Sequence, residues 1–257
     1  MTIAVVTGAA GGIGTAIGRA LGQAGHTIAV VDIEPERCER AVAALKAEGL
    51  DAFAAPADIA DPRSVDTMAA AVLARGEVEL VINNAGRASA PDFESSGEAD
   101  WAEALGINVS GAFYVTRNFL PQMKARRRGV IVNIASLNGH GAYGNPAYSV
   151  AKAGLLHLTR LLAVEYGPFG IRAVSVVPAS VRTPAWDHRL AKNAALFDEI
   201  LKYYPLRRIV EPEDVASVVA FAVSDAARAI SGSELIVDCG AHAGNSLISD
   251  LITEADK

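Results

Sequence analysis

The chain has 257 residues, of which 51% are hydrophobic and 20% charged, and its net charge is −6. That length and balance exclude a disordered chain and leave room for one large α/β domain with a sizeable core. The negative charge argues against nucleic acid or an anionic membrane as the main partner.

The basic cluster Lys124-Ala125-Arg126-Arg127-Arg128 reads as a solvated helix C-terminus, where cations suit the dipole. Two distant cysteines, Cys38 and Cys239, make neither a disulfide framework nor a metal cluster. No metal site is expected, and a reducing, cytoplasmic setting is. The opening segment from Met1 to Val6 lacks the basic start and cleavage site of a secretory signal. No apolar run approaches the roughly 20 residues of a membrane helix.

The first short apolar run is Ile3 to Val6, and a helix pattern from Gly12 to Ala24 follows it. Ile28 to Val31 is the next run, then a helix from Pro35 to Glu48 and another from Arg63 to Arg75, introduced by Asp61-Pro62. Leu80 to Ile82 precedes a helical stretch from Ala99 to Arg127, which Gly106, Gly111 and Pro121 should bend or interrupt. Val130 to Ile134 leads to a helix from Pro146 to Tyr166, stopped by Gly167-Pro168. Val174 to Val177 and Leu235 to Val237 complete the runs. Continuous, β-branched runs of this kind are strands covered on both faces. Their alternation with helices implies βαβ units: a single-domain doubly wound α/β fold over residues 1–257, with a mostly parallel sheet of seven strands. The stretch 180–208 breaks the rhythm with Trp186, His188, Phe197, Tyr203 and Tyr204, and reads as a small substrate lid.

Between the first strand and its helix lies Thr7-Gly8-Ala9-Ala10-Gly11-Gly12-Ile13-Gly14. Gly8 permits a tight turn, Gly12 lets backbone approach a ligand, and Gly14 allows close helix–strand packing. The helix N-terminus then offers free N–H groups to a pyrophosphate. Asp32 ends the second strand, where a carboxylate can accept from adenosine ribose hydroxyls and repel a 2′-phosphate; Ile33, Glu34 and Pro35 follow, with no adjacent cation. NAD is therefore the expected cofactor. In the later helix, Tyr148 and Lys152 are spaced i, i+4 and share a face. A phenol ordinarily titrates near 10, and an ammonium beside it favours the phenolate, so the pair suits proton shuttling near neutral pH.

These features together resemble the short-chain dehydrogenase/reductase family over essentially the whole chain. Thr7-Gly8 through Gly12-Ile13-Gly14 is similar to the family's cofactor loop, Asp58-Ile59 to its adenine position, and Asn83-Asn84-Ala85-Gly86 to its signature after the fourth strand. Asn108, Ser136, Tyr148 and Lys152 stand where the family has its catalytic set, and Gly232 to Asp238 resembles its last strand. The resemblance implies that Tyr148 is the general acid/base and Ser136 orients the substrate oxygen. Lys152 would hold the nicotinamide ribose and lower the tyrosine pKa, and Asn108 would hold a water linking Lys152 to solvent. It implies cofactor contacts from Asn84, Ala85, Gly86, Pro178, Val181 and Thr183.

Two departures stand out. Val177-Pro178-Ala179 replaces the usual Asn-Pro-Gly, and Ala179 would disfavour a positive φ. Cys239 stands where glycine is usual, tolerable if its φ is ordinary.

At the substrate end, Asn138, His140, Asn145, Trp186 and His188 are the candidates, beside Arg182 for an anionic group. Tyr203 and Tyr204 are expected to pack the lid against the body. The mixture suits a sugar, a polyol or a cyclic alcohol. The expected activity is NAD-dependent interconversion of a secondary alcohol and its ketone. The alternatives are a 3-oxoacyl thioester reductase, which Asp32 disfavours, and a non-catalytic NAD-binding regulator. An enoyl reductase is disfavoured by the close Tyr–Lys spacing. Apolar faces around Gly106 and Gly111 and over Leu155 to Val164 imply, with the resemblance, a homotetramer.

Overall fold

In the computed structural model, residues 1–88 and 90–253 are described, without the side chains of His188 and Ser246. The strands are β1 (Ile3–Thr7), β2 (Thr27–Val31), β3 (Ala52–Ala54), β4 (Val78–Asn83), β5 (Gly129–Ile134), β6 (Ile171–Pro178) and β7 (Glu234–Val237). They form one parallel sheet in the order β3-β2-β1-β4-β5-β6-β7. The six apolar runs became strands. The third strand has no such run, because Ala52-Phe53-Ala54 is too short and too alanine-rich to announce itself.

The helices are α1 (Gly12–Gln23), α2 (Pro35–Ala47), α3 (Pro62–Leu73), α4 (Glu98–Leu105), α5 (Gly111–Arg126), α6 (Pro146–Tyr166), α7 (Asp187–Lys192), α8 (Leu196–Leu201), α9 (Pro212–Val223) and α10 (Ser246–Thr253). Strand residues alternate between two cores. Ala4 and Val6 face α1, α2 and α9, whereas Ile3 and Val5 face α3, α5 and α6. A sheet covered on both faces explains why its strands are apolar without alternation. No described helix is long and apolar enough to cross a membrane.

The expected interruption between Ala99 and Arg127 takes a specific form. α4 and α5 are joined by a π-helical turn, Gly106–Ser110, in which Asn108 is buried. Pro121 does not break α5, whose buried Leu120 and Met123 anchor the surrounding turns. Gly106 and Gly111 do not form an open face. A Cβ on Gly111 would meet Ile59 Cδ1 at 2.7 Å, so these glycines admit the segment after β3.

A chain of buried polar groups crosses the sheet. Asn83 Nδ2 donates to Thr116 Oγ1 (2.9 Å) and Asn133 Oδ1 (2.7 Å), and Asn133 Nδ2 donates to Thr159 Oγ1 (2.8 Å). Thr159 Oγ1 lies 2.7 Å from Ser175 Oγ. It ties β4, β5 and β6 to α5 and α6.

Candidate active site

β1 and β4 are adjacent although not consecutive, so the connections diverge to opposite sides of the sheet at this point. A crevice opens there beyond the carboxyl ends of the strands. It is a cleft of about 1850 Å³, well above the volume typical for a drug-sized ligand.

The glycine loop forms its floor. Gly8 has φ +62, and a Cβ on Gly14 would lie 2.2 Å from Gly8 O. The α1 N-cap, Gly11, offers no side-chain hydrogen bond, so the first N–H groups keep no intrachain cap. Asn84 pins this loop to β4: its Nδ2 donates to Thr7 O (2.9 Å) and Gly8 O (3.2 Å), while Thr7 Oγ1 accepts the Asn84 and Ala85 N–H groups at 3.0 Å each. Gly8, Gly12, Ile13, Gly14, Asp32, Ile33, Asp58, Ile59, Asn84, Ala85 and Gly86 all line the cleft. The uncapped N-terminus and the glycine cradle fit a pyrophosphate, and buried Asp32 lines the same cleft just beyond β2.

Asp32 is less isolated than its sequence neighbours imply. Arg37, one turn into α2, also lines the cleft, with Nη2 3.8 Å from Asp32 Oδ2 and Nη1 3.5 Å from Glu34 Oε1. Five positions of sequence hide a contact that the helical turn restores.

Tyr148 and Lys152 project from α6 to the cleft wall, beside Ser136 at the end of β5. Lys152 is buried, its Nζ donates to Ile134 O at 2.8 Å, and Nζ lies 5.4 Å from the centre of the Tyr148 ring. Burial lowers the Lys152 pKa to about 8. The expectation that Lys152 depresses the tyrosine pKa is corrected for the protein alone. Burial pushes the Tyr148 phenol up, and the Ser136 hydroxyl only partly opposes it. The ammonium is drawn to the Ile134 carbonyl instead of the phenol.

Asn108 is committed locally. Its Nδ2 donates to Arg87 O (2.8 Å) and Ala104 O (2.9 Å), and its Oδ1 accepts Arg87 N–H (3.2 Å). A Cβ on Gly86 would meet Asn108 Oδ1 at 2.7 Å and Lys152 Nζ at 3.2 Å, so all three converge.

Pro178, Val181 and Thr183 also line the cleft, with a Gly12 Cβ falling 3.0 Å from Thr183 Cγ2. Ala179 keeps a negative φ and donates to Val237 O at 3.0 Å, so the missing glycine costs nothing there. Cys239 is the opposite case: its φ is +55, in the left-handed region that favours glycine.

Of the substrate candidates, Asn138, Asn145 and Trp186 line the cleft. Asn138 Nδ2 donates to Gly144 O and Ser149 Oγ, and Asn145, with φ +50, donates from Nδ2 to Ala90 O. His140 is not brought to the cleft. It turns to the sheet edge, with Nε2 2.7 Å from Glu234 Oε2. Arg182 is likewise diverted, to Glu211 at 3.0 Å. The side chain of His188 lies outside the described residues. Tyr204 packs the lid as expected and accepts Ser180 N–H at 3.0 Å, but Tyr203 is exposed on the cleft rim. Sequence reasoning missed Tyr143, Arg189 and His242, all of which line the cleft. Only the fold brings them there.

A family model described as enoyl-(acyl carrier protein) reductase matches residues 8–242. An uncharacterised oxidoreductase of Schizosaccharomyces pombe is 38% identical over 98% of this chain and 95% of its own. The crystal structure of a short-chain dehydrogenase/reductase from Burkholderia thailandensis superposes with a TM-score of 0.94 at 37% identity, over 99% of this chain and 98% of that one. A gluconate 5-dehydrogenase candidate from Beutenbergia cavernae, solved with NADP at low occupancy, gives 0.89 at 32% identity, over 95% and 97% of the two chains. With the parallel sheet and the matched residues, these likenesses place the chain in the short-chain dehydrogenase/reductase family of oxidoreductases.

Proposed function

We propose that the protein is an alcohol dehydrogenase or ketoreductase, interconverting a secondary alcohol and its ketone with NAD in the cytoplasm. The observation that carries this reading is the convergence of Tyr148, Ser136 and Lys152 on one wall of a cleft whose floor is the glycine cradle. A bound nicotinamide would supply or accept the hydride. Tyr148 would give its phenolic proton to the nascent alkoxide in reduction and take it back in oxidation. Ser136 would hold the substrate oxygen. Lys152 would hold the nicotinamide ribose, bring positive charge near the phenol and offset the effect of burial. Asn108 would fix Arg87 and the backbone that borders Lys152. Asn84, Ala85 and Gly86 would flank the dinucleotide, with Asp58 and Ile59 at its adenine end.

Asp32 supports NAD, since a buried carboxylate opposes a 2′-phosphate. Arg37 supports a second reading in which NADP is also used, the guanidinium turning from Glu34 to the phosphate. Fluorescence titration with NADH and NADPH separates the two. NAD preference requires NADH to bind at least about tenfold tighter, a difference of about 1.4 kcal/mol; equal affinities would establish dual use. Turnover of any secondary alcohol, lost in Tyr148→Phe, tests the activity. An inactive protein that still binds NADH would instead be a regulator on this fold.

The same reading has four copies assemble through α5 and α6, whose Phe113, Leu161 and Val164 are exposed apolar side chains.

A further inference from the structure

The substrate end of the cleft is walled by the lid and by the loop after β7. These walls are joined: Leu206 N–H donates to Cys239 O at 3.1 Å, and Trp186 and Ala241 pack against one core. Each wall contributes a nitrogen-bearing side chain with unspent hydrogen-bonding capacity to the cleft lining, Arg189 from α7 and His242 from the loop.

The Arg189 guanidinium lies 4.9 Å from the Trp186 ring centre, and Trp186 packs on Phe197 at 5.4 Å. A guanidinium held over an aromatic face loses freedom there and keeps N–H groups for another acceptor. The other cations lining the cleft are engaged: Arg37 with Glu34, Arg87 with Glu103, and Lys152 with Ile134 O. Among the described residues, Arg189 alone of this set has no carboxylate or carbonyl acceptor. The acidic side chains lining the cleft lie elsewhere. Asp32, Glu34 and Asp58 follow β2 and β3, and Glu103 is held by Arg87.

His242 Nδ1 lies 2.7 Å from Oδ2 of buried Asp238. That carboxylate also accepts the N–H groups of Gly240 (2.9 Å) and His242 (2.7 Å). Burial opposes its charge, but these hydrogen bonds outweigh burial and hold its pKa below the usual range. An ionised carboxylate only accepts, so the shared proton sits on Nδ1, which fixes the ring and leaves Nε2 without a protein partner among the described residues.

We propose that Arg189 and His242 form an acid-recognition end of the substrate site, so that the alcohol is a hydroxy acid and the ketone its oxo acid. Arg189 takes the substrate carboxylate with its forked N–H groups, and His242 Nε2 meets a neighbouring hydroxyl. The inference rests on the alcohol–ketone reading above and names its substrate class. In oxidation, a bound nicotinamide would accept the carbinol hydrogen with its two electrons, and Tyr148 would take the hydroxyl proton. The carboxylate is unchanged.

The test is steady-state kinetics with a panel of hydroxy acids, gluconate among them, each paired with its neutral primary amide. Acids should exceed their amides in kcat/KM by about 10- to 100-fold, as one charged hydrogen-bonded contact provides. Arg189→Gln should raise KM for the best acid by a similar factor, with kcat changed less than about threefold and the amides unaffected; Arg189→Lys should recover part of the loss. His242→Ala should raise KM for acid and amide alike, because both carry the hydroxyl. Equal use of acids and amides, with Arg189→Gln silent, would overturn the inference and leave the alcohol reading standing. Should nothing on the panel turn over, the alcohol reading stays with the test on other secondary alcohols, and calorimetric titration of gluconate into the NADH-loaded protein decides this point. Binding lost in Arg189→Gln supports the acid end; no binding, or equal binding, overturns it.

Discussion

Lys152 is a buried ammonium whose hydrogen-bond acceptor is a backbone carbonyl, and its pKa falls from 10.5 to about 8. The folded state therefore resists the proton that the unfolded chain accepts. Between pH 8 and 10.5 the unfolded chain binds more protons, so stability rises with pH through that window; the full cost is present below pH 8. Its size is about 3 kcal/mol. Measured by urea denaturation without cofactor, Lys152→Met should gain most over the parent below pH 8. That gain should shrink by about 3 kcal/mol by pH 10.5, whereas a gap constant with pH would contradict the burial of a charged lysine. Tyr148 makes a kinetic prediction instead. Removing its hydroxyl in Tyr148→Phe should lower kcat by about 10²- to 10⁴-fold, the usual contribution of a general acid or base. NADH affinity should remain close to that of the parent in fluorescence titration.

At the scale of elements, the π-helical turn between α4 and α5 exists because Asn108 competes for backbone groups that a continuous helix would use. Asn108→Ala leaves Arg87 O and Arg87 N–H without this partner. It should cost about 1–3 kcal/mol in thermal or chemical denaturation and slow turnover through the loop that borders Lys152. Full stability in that variant would show that the turn needs no side chain. Gly106, Gly111 and Pro121 signal the interruption and the family resemblance puts a helix-kink asparagine at Asn108, but which backbone groups the kink releases was not legible in the sequence. The strands were legible wherever apolar residues run together, which is why β1, β2, β4, β5, β6 and β7 emerge and β3 does not, whereas α9, apolar over much of its surface, was not read as a helix. α10 went unread as well, since eight residues give too short a pattern. The cofactor floor and Tyr148–Lys152 were legible because their motifs are local in sequence. Arg37, Arg189 and His242 were not, because they reach the cleft only through helix rotation, lid packing and the turn after β7. His140 misled for the converse reason: nearness to Ser136 in sequence did not resist the pull of Glu234, a partner on a distant strand.

For the whole molecule, exposed Leu161 and Val164 on α6 lie on the opposite side of the helix from the residues it buries, such as Leu155, Leu156, Thr159 and Leu162. Sedimentation of the parent should give the mass of four chains, and Leu161→Glu with Val164→Glu should shift it to smaller species, since a charge in an apolar contact is not compensated. A monomeric parent would remove the proposed assembly. The polar chain from Asn83 to Ser175 has a further consequence. Thr159 is gripped by Asn133 on one strand and Ser175 on the next, so α6 cannot creep along the sheet by a turn without stranding several polar groups in an oily layer. Tyr148 and Lys152 ride on that clamped rod. Adaptation to a new substrate must therefore be written into the lid and the loop after β7, as a lathe keeps its headstock fixed and changes only the tool.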